Sequence, residues 1–182
     1  ANYFKLSGHE VCGIDNLFHD TPGLLDKDIS WWNVDIRNKS LITETKIAWA
    51  DIIFHLAAQI NIDYSIKHPV ETTDINVNGT INILELCRKY KKKVIVASTS
   101  EVYGSSQTMY MTEQHPLDAQ SPYAASKVAC DRMCKAYIDT YGMDIIIVRN
   151  FNIFGPYQNE GSYGSVIAKF AKAAYQGKPL QI

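Results

Sequence analysis

The sequence predicts an α/β fold built on a doubly wound parallel sheet, on three observations. Short apolar runs rich in β-branched residues alternate with longer helical stretches, the pattern of a parallel sheet covered by crossover helices. Several of these runs are apolar almost throughout, which suits strands buried on both faces. Polar and small residues of chemical interest cluster where the runs end, the edge at which open α/β sheets bind their ligands.

A short helical tail and Gly8 come first, ahead of the earliest strand candidate, Glu10 to Asp15 (EVCGID). The others are Trp31 to Ile36 (WWNVDI), Ile52 to Leu56 (IIFHL), Lys93 to Ser98 (KVIVAS) and Asp144 to Arg149 (DIIIVR). A helix is predicted from about Thr73 to Tyr90, where Val77, Ile81, Leu84 and Cys87 recur at helical spacing and the basic stretch Arg88 to Lys93 closes it. A second opens with Ser121 as cap and Pro122 in the first turn, and runs to Tyr141 before Gly142 stops it. A third spans Ser165 to Gln176, ended by Gly177.

The 182 residues are long enough to bury a core, and 46% hydrophobic with 20% charged residues is the composition of an ordinary folded domain. Disorder, collagen-like repeats and coiled coil are poor readings of it. Lys plus Arg (18) nearly balances Asp plus Glu (19), leaving a formal charge of -1, so no footprint for nucleic acid or an anionic membrane appears. Wholly apolar runs such as Ile145 to Val148 fall far short of the roughly 20 residues that span a bilayer. Cys12, Cys87, Cys130 and Cys134 are too sparse for a disulfide scaffold and form no paired C-x-x-C, so no metal site and a reducing cytoplasm are expected.

Two constellations carry chemistry. Asp15 ends the first strand, where an acidic residue can accept hydrogen bonds from a ribose; at a strand end it also reads as an ordinary turn residue. Tyr123 and Lys127 stand four apart, so phenol and ammonium share one helix face, a spacing that plain helix surfaces also show. As a base the phenol must fall from its reference value of about 10 towards 7, which takes about 4 kcal/mol of help from nearby positive charge. The helix follows a strand ending in Ser98-Thr99-Ser100, whose hydroxyls can converge with the pair on one alcohol.

With these residues in hand, the chain resembles the extended short-chain dehydrogenase/reductases that act on nucleotide sugars. The matching segments are GIDNL (Gly13 to Leu17), NVDIRN (Asn33 to Asn38), FHLAAQ (Phe54 to Gln59), NVNGTINILELCR (Asn76 to Arg88), VASTSEVYG (Val96 to Gly104), SPYAASK (Ser121 to Lys127) and RNFNIFGPYQN (Arg149 to Asn159). The resemblance implies a Rossmann-like domain over residues 1–150 and the start of a substrate-binding region over 151–182. The family's first strand and glycine-rich loop are expected upstream of Ala1, so the 182 residues read as an interior segment that alone binds NAD weakly and catalyses nothing.

The resemblance implies that Asp15 and Asn16 meet the adenosine ribose, that Asp35 and Ile36 flank the adenine, and that Leu56, Ala57, Ala58 and Gln59 line the dinucleotide. It implies contacts from Ser98 as well, and a place for Asn76 in the cofactor site and in support of the catalytic helix. Ala57 and Ala58 also read as close packing, and Asn76 as a satisfied polar residue. Tyr123 is the implied base, with Lys127 as activator and ribose ligand. Thr99 and Ser100 are implied substrate contacts, as is Asn152 for the diphosphate; Tyr157 stands where many relatives carry a basic residue.

The implied activity is an NAD-dependent epimerase or 4,6-dehydratase working through a 4-keto sugar. Alternatives are a nucleotide-sugar decarboxylase of the UDP-glucuronate type and a non-catalytic NAD(H)-binding module. Glu101, after Thr99-Ser100, is the implied acid/base at C5, or else a carboxylate bonded to local backbone. A nucleotide-diphosphate sugar is the implied partner, in a homodimer packed through the helices at 73–90 and 122–141.

Overall fold

A computed structural model describes residues 1–18, 27–38, 44–155, 158 and 166–180. In chain order it contains α1 (Asn2–Leu6), β1 (Cys12–Asp15), β2 (Ser30–Asn33), α2 (Glu44–Trp49), β3 (Ile52–His55), α3 (Ile62–Lys67), α4 (Pro69–Thr73), a π-helical turn (Asp74–Asn78), α5 (Gly79–Tyr90), β4 (Lys93–Thr99), a 3-10 turn (Ser100–Tyr103), α6 (Pro122–Tyr141), β5 (Ile145–Asn150) and α7 (Val166–Tyr175). Two compact units divide the chain, Ala1–Arg149 and Asn150–Ile182.

The strands form at the apolar runs, with one shift of consequence. β2 ends at Asn33 rather than at Ile36. Past the last rung, Val34 N–H to Asp15 C=O at 2.9 Å, the Asp35 carboxylate accepts the backbone N–H of Arg37 at 2.8 Å. That local bond turns the chain out of the ladder. Pairing is parallel, Cys12 through Asp15 against Ser30 through Asn33 and Ile52 through His55 against Lys93 through Val96.

Where one continuous sheet was expected, the described strands make two, β1-β2 and β3-β4-β5. In the strand order 3-2-1-4-5-6 of a Rossmann sheet, β1 and β2 take positions two and three, and β3 to β5 take four to six. Both sheets share one core, in which Ile36, Leu84, Leu86, Cys87, Val94, Val96, Cys134 and Ile145 pack together. A Cβ on Gly79 would come within 2.4 Å of the Ile36 side chain, so α5 lies close against the end of β2. The expectation of strands buried on both faces needs correction: Val94 and Val96 are buried under α5 and α6, whereas Ile52, Phe54 and Ile146 on the other face stay 42 to 45% exposed. Phe4 of α1 meets Phe54 there, ring to ring at 5.0 Å.

The predicted helix at 73–90 begins earlier, at Pro69, and passes through the π turn before α5. α3 was not predicted; Asn61 caps it by accepting the N–H of Tyr64 at 2.7 Å. α6 has the predicted caps, with Ser121 Oγ accepting Ala124 N–H at 3.1 Å and Gly142 in the left-handed region at φ 64°. Among the described residues no helix is long and apolar enough to cross a membrane. Cys87, Cys130 and Cys134 are buried, and burial pushes the thiols of Cys87 and Cys134 up to about 12.

Candidate active site

β4, the 3-10 turn and the first turns of α6 bring Thr99, Glu101, Tyr123 and Lys127 together. Thr99 ends β4, and its hydroxyl oxygen accepts the N–H of Glu101 at 3.2 Å, capping the 3-10 turn. The same hydroxyl and the Glu101 carboxylate both lie close enough to the Tyr123 phenol to act on it. Tyr123 and Lys127 are buried, and Lys127 Nζ donates to Ala97 C=O at 2.7 Å. The loop behind this cluster is pinned at Gly104, whose φ of 63° and approach to Asp118 C=O leave no room for a side chain.

The electrostatics differ from the expectation that Lys127 lowers the phenol. In this chain burial pushes the Tyr123 phenol up; the Thr99 hydrogen bond opposes this, and the Glu101 carboxylate adds to the rise. Lys127 is itself pushed down by burial, with Cys130 and Asp131 pulling it back. Burial thus favours the neutral form of both groups, and the Lys127 nitrogen is bonded to a backbone carbonyl.

The strand ends carry the other predicted residues. Asp15 is exposed at the end of β1, with Oδ1 accepting Leu17 N–H at 2.7 Å. Asn16 reaches across to Asp35 Oδ2 at 3.4 Å. Arg37 beside Asp35, at 2.7 Å, holds that carboxyl down at about 2. The Ile36 side chain belongs to the core, and its backbone C=O accepts from Asn82 Nδ2 at 3.0 Å. Leu56 and Ala57 are exposed and Ala58 is half-buried.

Gln59 and Asn76 are committed inside the protein. Gln59 donates to Asn61 C=O and Thr72 Oγ1, both at 3.0 Å, and its side-chain oxygen accepts the Asn61 N–H. Asn76 accepts Gln59 N–H at 2.8 Å and donates to Gln59 C=O at 3.0 Å and to Ser126 Oγ at 2.9 Å. Its amide ties the loop after β3 to α6. Ser98 Oγ, buried at the end of β4, has no partner among the described residues. Ser100 is half-buried in the 3-10 turn. Asn152 belongs to the second unit, and Tyr157 lies outside the described residues.

Three buried groups around the site were not singled out from sequence. His55, at the end of β3, shares a 2.9 Å hydrogen bond with Thr80. Asp131, one helical turn beyond Lys127, accepts from Arg149 Nε at 2.8 Å, and Arg149 also donates to the Tyr103 hydroxyl at 2.9 Å. Ser65 on α3 meets the backbone of Tyr123 at 3.1 Å. A His inside an otherwise apolar strand, and a lone Ser four residues before Pro69, are the signals that pointed at two of them.

The sequence profile of the NAD dependent epimerase/dehydratase family matches residues 1–182. The chain belongs to that family. Within the NAD-dependent epimerase/dehydratase family, it is 34% identical over 183 residues to the UDP-N-acetyl-alpha-D-glucosaminuronate decarboxylase of Bacillus cytotoxicus, covering 96% of this chain and 56% of that one. Among solved structures it is similar to the UDP-glucose 4-epimerase of Thermotoga maritima, crystallised with UDP-glucose, at 25% identity and a TM-score of 0.92, covering 100% of this chain and 60% of that one. It is similar too to DesIV, a dTDP-glucose 4,6-dehydratase of Streptomyces venezuelae crystallised with NAD, at 34% identity and a TM-score of 0.81, with 94% and 54% covered. The chain thus spans a little over half the length of these relatives.

The residues present suit the dinucleotide of the NAD-dependent family. An orphaned buried hydroxyl (Ser98), a buried lysine nitrogen (Lys127), the exposed carboxylate of Asp15 and the half-buried one of Asp35 offer donors and acceptors along the strand-end edges.

Proposed function

We propose that this chain is the catalytic part of an NAD-dependent nucleotide-sugar epimerase or 4,6-dehydratase, with Tyr123 as its base. The observation that carries the reading is the buried Tyr123, with the Thr99 hydroxyl and the Glu101 carboxylate within reach of its phenol and the buried Lys127 one turn further along α6. Asp15, Asn16 and Asp35 hold the adenosine end, Leu56 to Ala58 line the middle, and Ser98 and Lys127 meet the nicotinamide end. NAD held there would supply the hydride acceptor for the sugar.

Thr99 Oγ1 orients the sugar 4-hydroxyl, and Tyr123 Oη takes its proton as C4 is oxidised, leaving a 4-keto sugar. An ammonium at Lys127 favours the phenolate that does this, offsetting the burial that holds the phenol protonated. Glu101 moves a proton at C5, a role supported by its exposure and its electrostatic reach to Tyr123. That residue supports elimination over simple epimerisation, and the same opening step also serves a decarboxylase. Asn152 contacts the substrate diphosphate. The protein works in the cytoplasm as a homodimer packed through the helices at 73–90 and 122–141, where Arg132, Lys135 and Ala136 of α6 are exposed.

The test is to incubate the intact protein with NAD and UDP-, dTDP-, GDP- and CDP-sugars, and to read products by mass spectrometry and NADH by absorbance. Unchanged product mass with inverted C4 marks an epimerase, loss of water a dehydratase and loss of CO2 a decarboxylase. Tyr123→Phe is expected to lower turnover by at least about 100-fold, the scale of general acid–base catalysis. Turnover by the wild type that survives in Tyr123→Phe refutes the base; NAD binding with no turnover of any sugar refutes the enzyme and leaves a binding module.

A further inference from the structure

The first turn of α6 has a backbone problem that its own residues do not solve. The N–H groups that open a helix have no intrahelical partner. Pro122 has no N–H, Ser121 Oγ takes the N–H of Ala124, and Ser121 C=O takes that of Ala125 at 2.8 Å. That leaves the N–H of Tyr123. It is satisfied from 58 positions away by Ser65 Oγ at 3.1 Å. Ser65 is 0% exposed, and its own proton goes to Ile62 C=O at 2.6 Å, which leaves its lone pairs for Tyr123.

On the other side of the same residue, Tyr123 C=O accepts from Ser126 Oγ at 2.6 Å, and Ser126 Oγ is held by Asn76 at 2.9 Å. Both polar groups of the Tyr123 main chain are therefore gripped, one from α3 and one through the π turn. We infer that Ser65 is a positioning residue for Tyr123, setting where the phenol stands relative to Thr99 through the backbone N–H it holds. The inference rests on the reading of Tyr123 as the base.

The side chain acts as a lever. A small tilt of the first turn moves the phenol oxygen by an ångström, and misplacement by 1 Å is enough to cost about 100-fold in rate. The groups facing the phenol are the Thr99 hydroxyl and Glu101 carboxylate from the end of β4 and the 3-10 turn, and Cys130 on α6. The Lys127 charge also acts on His55 of β3. Of these, the Thr99 bond favours the phenolate, so loosening the turn raises the pH at which the base becomes active.

The experiment is Ser65→Ala in the intact protein, with Ile83→Val, a trim of the core far from this bond, as the variant that lowers stability alone. For Ser65→Ala the expected result is a fall in kcat of about tenfold, a fraction of the loss for an ångström of misplacement. KM for the nucleotide sugar should stay within about twofold and the rising limb of the pH–rate profile should move up by at least about half a pH unit, since the sugar's own contacts are kept. Ile83→Val is expected to keep both kcat and the profile. A loss of melting temperature with kcat and pH profile unmoved overturns the inference, as does a change confined to KM. Amide hydrogen exchange at Tyr123 in the wild type gives an answer even if Ser65→Ala does not fold: protection like that of the following turn supports the clamp, and exchange at the unprotected rate overturns it. A wild type that turns over no sugar removes the base, and the positioning role with it, while exchange at Tyr123 still reports the bond; the two failures are thereby told apart.

Discussion

Acidification should unfold this protein earlier than its carboxylates alone require, through His55. The imidazole is 6% exposed, and burial, with the Lys127 charge adding, pushes it from 6.5 down to about 4. Its folded value lies below its unfolded one, so the contribution is fully present above pH 6.5 and is lost as pH falls towards 4. The gap between 6.5 and about 4 amounts to about 3 kcal/mol at 1.36 kcal/mol per pH unit, and about 2 kcal/mol of it should be gone by pH 5. Most carboxylates have not yet titrated in the window from 6.5 to 5, which isolates the effect. Urea unfolding of the intact protein at pH 7.5, 6 and 5 reads it, with His55→Gln as comparator, since an amide can keep the bond to Thr80 and does not titrate. The wild type should lose about 2 kcal/mol across the window and His55→Gln well under 1. Equal slopes for the two proteins would refute the assignment.

Two further outcomes follow from packing. Gly104→Ala forces a Cβ to within 2.0 Å of the Asp118 carbonyl at a φ of 63°, whereas Gly142→Ala at 64° meets open space; urea unfolding should show losses of about 3 and about 1 kcal/mol respectively, and equal losses would mean that the loop at 104 is free to move. Arg149→Met strips the carboxylate of Asp131, 2% exposed, of its guanidinium partner and should cost about 3 to 5 kcal/mol, much of it recovered when Asp131→Leu is added; no recovery in the double variant would show that Arg149 acts through Tyr103 instead.

The strands were legible because apolar β-branched runs report burial directly, and α6 because Ser121, Pro122 and Gly142 are local signals. The constellation of Thr99, Glu101, Tyr123 and Lys127 was legible for a similar reason: two short segments carry it, and the ends of β4 and α6 need only meet. What escaped was set by distant partners. The end of β2 depends on whether Asp35 bonds forward to Arg37 or the ladder continues, and an apolar run cannot show which. The π turn breaks the 3.6-residue rhythm that Val77, Ile81, Leu84 and Cys87 otherwise keep, and it is there that Asn76 is aimed at Gln59 and Ser126 together. The rise of the Tyr123 phenol depends on burial, which a spacing of four between Tyr and Lys does not encode.

The grip on Tyr123 also says when in folding the site comes into being. Its two holds join residues 58 and 50 positions apart, and contacts of such separation close late because long loops must be ordered before they are rewarded. α5 and β4, neighbours in the chain, can pack on one another earlier through Leu84, Leu86, Val94 and Val96. A chain halted at that stage would have its helices and its buried valines and still hold a tyrosine free to swing, so catalytic competence and compactness would be acquired in separate steps.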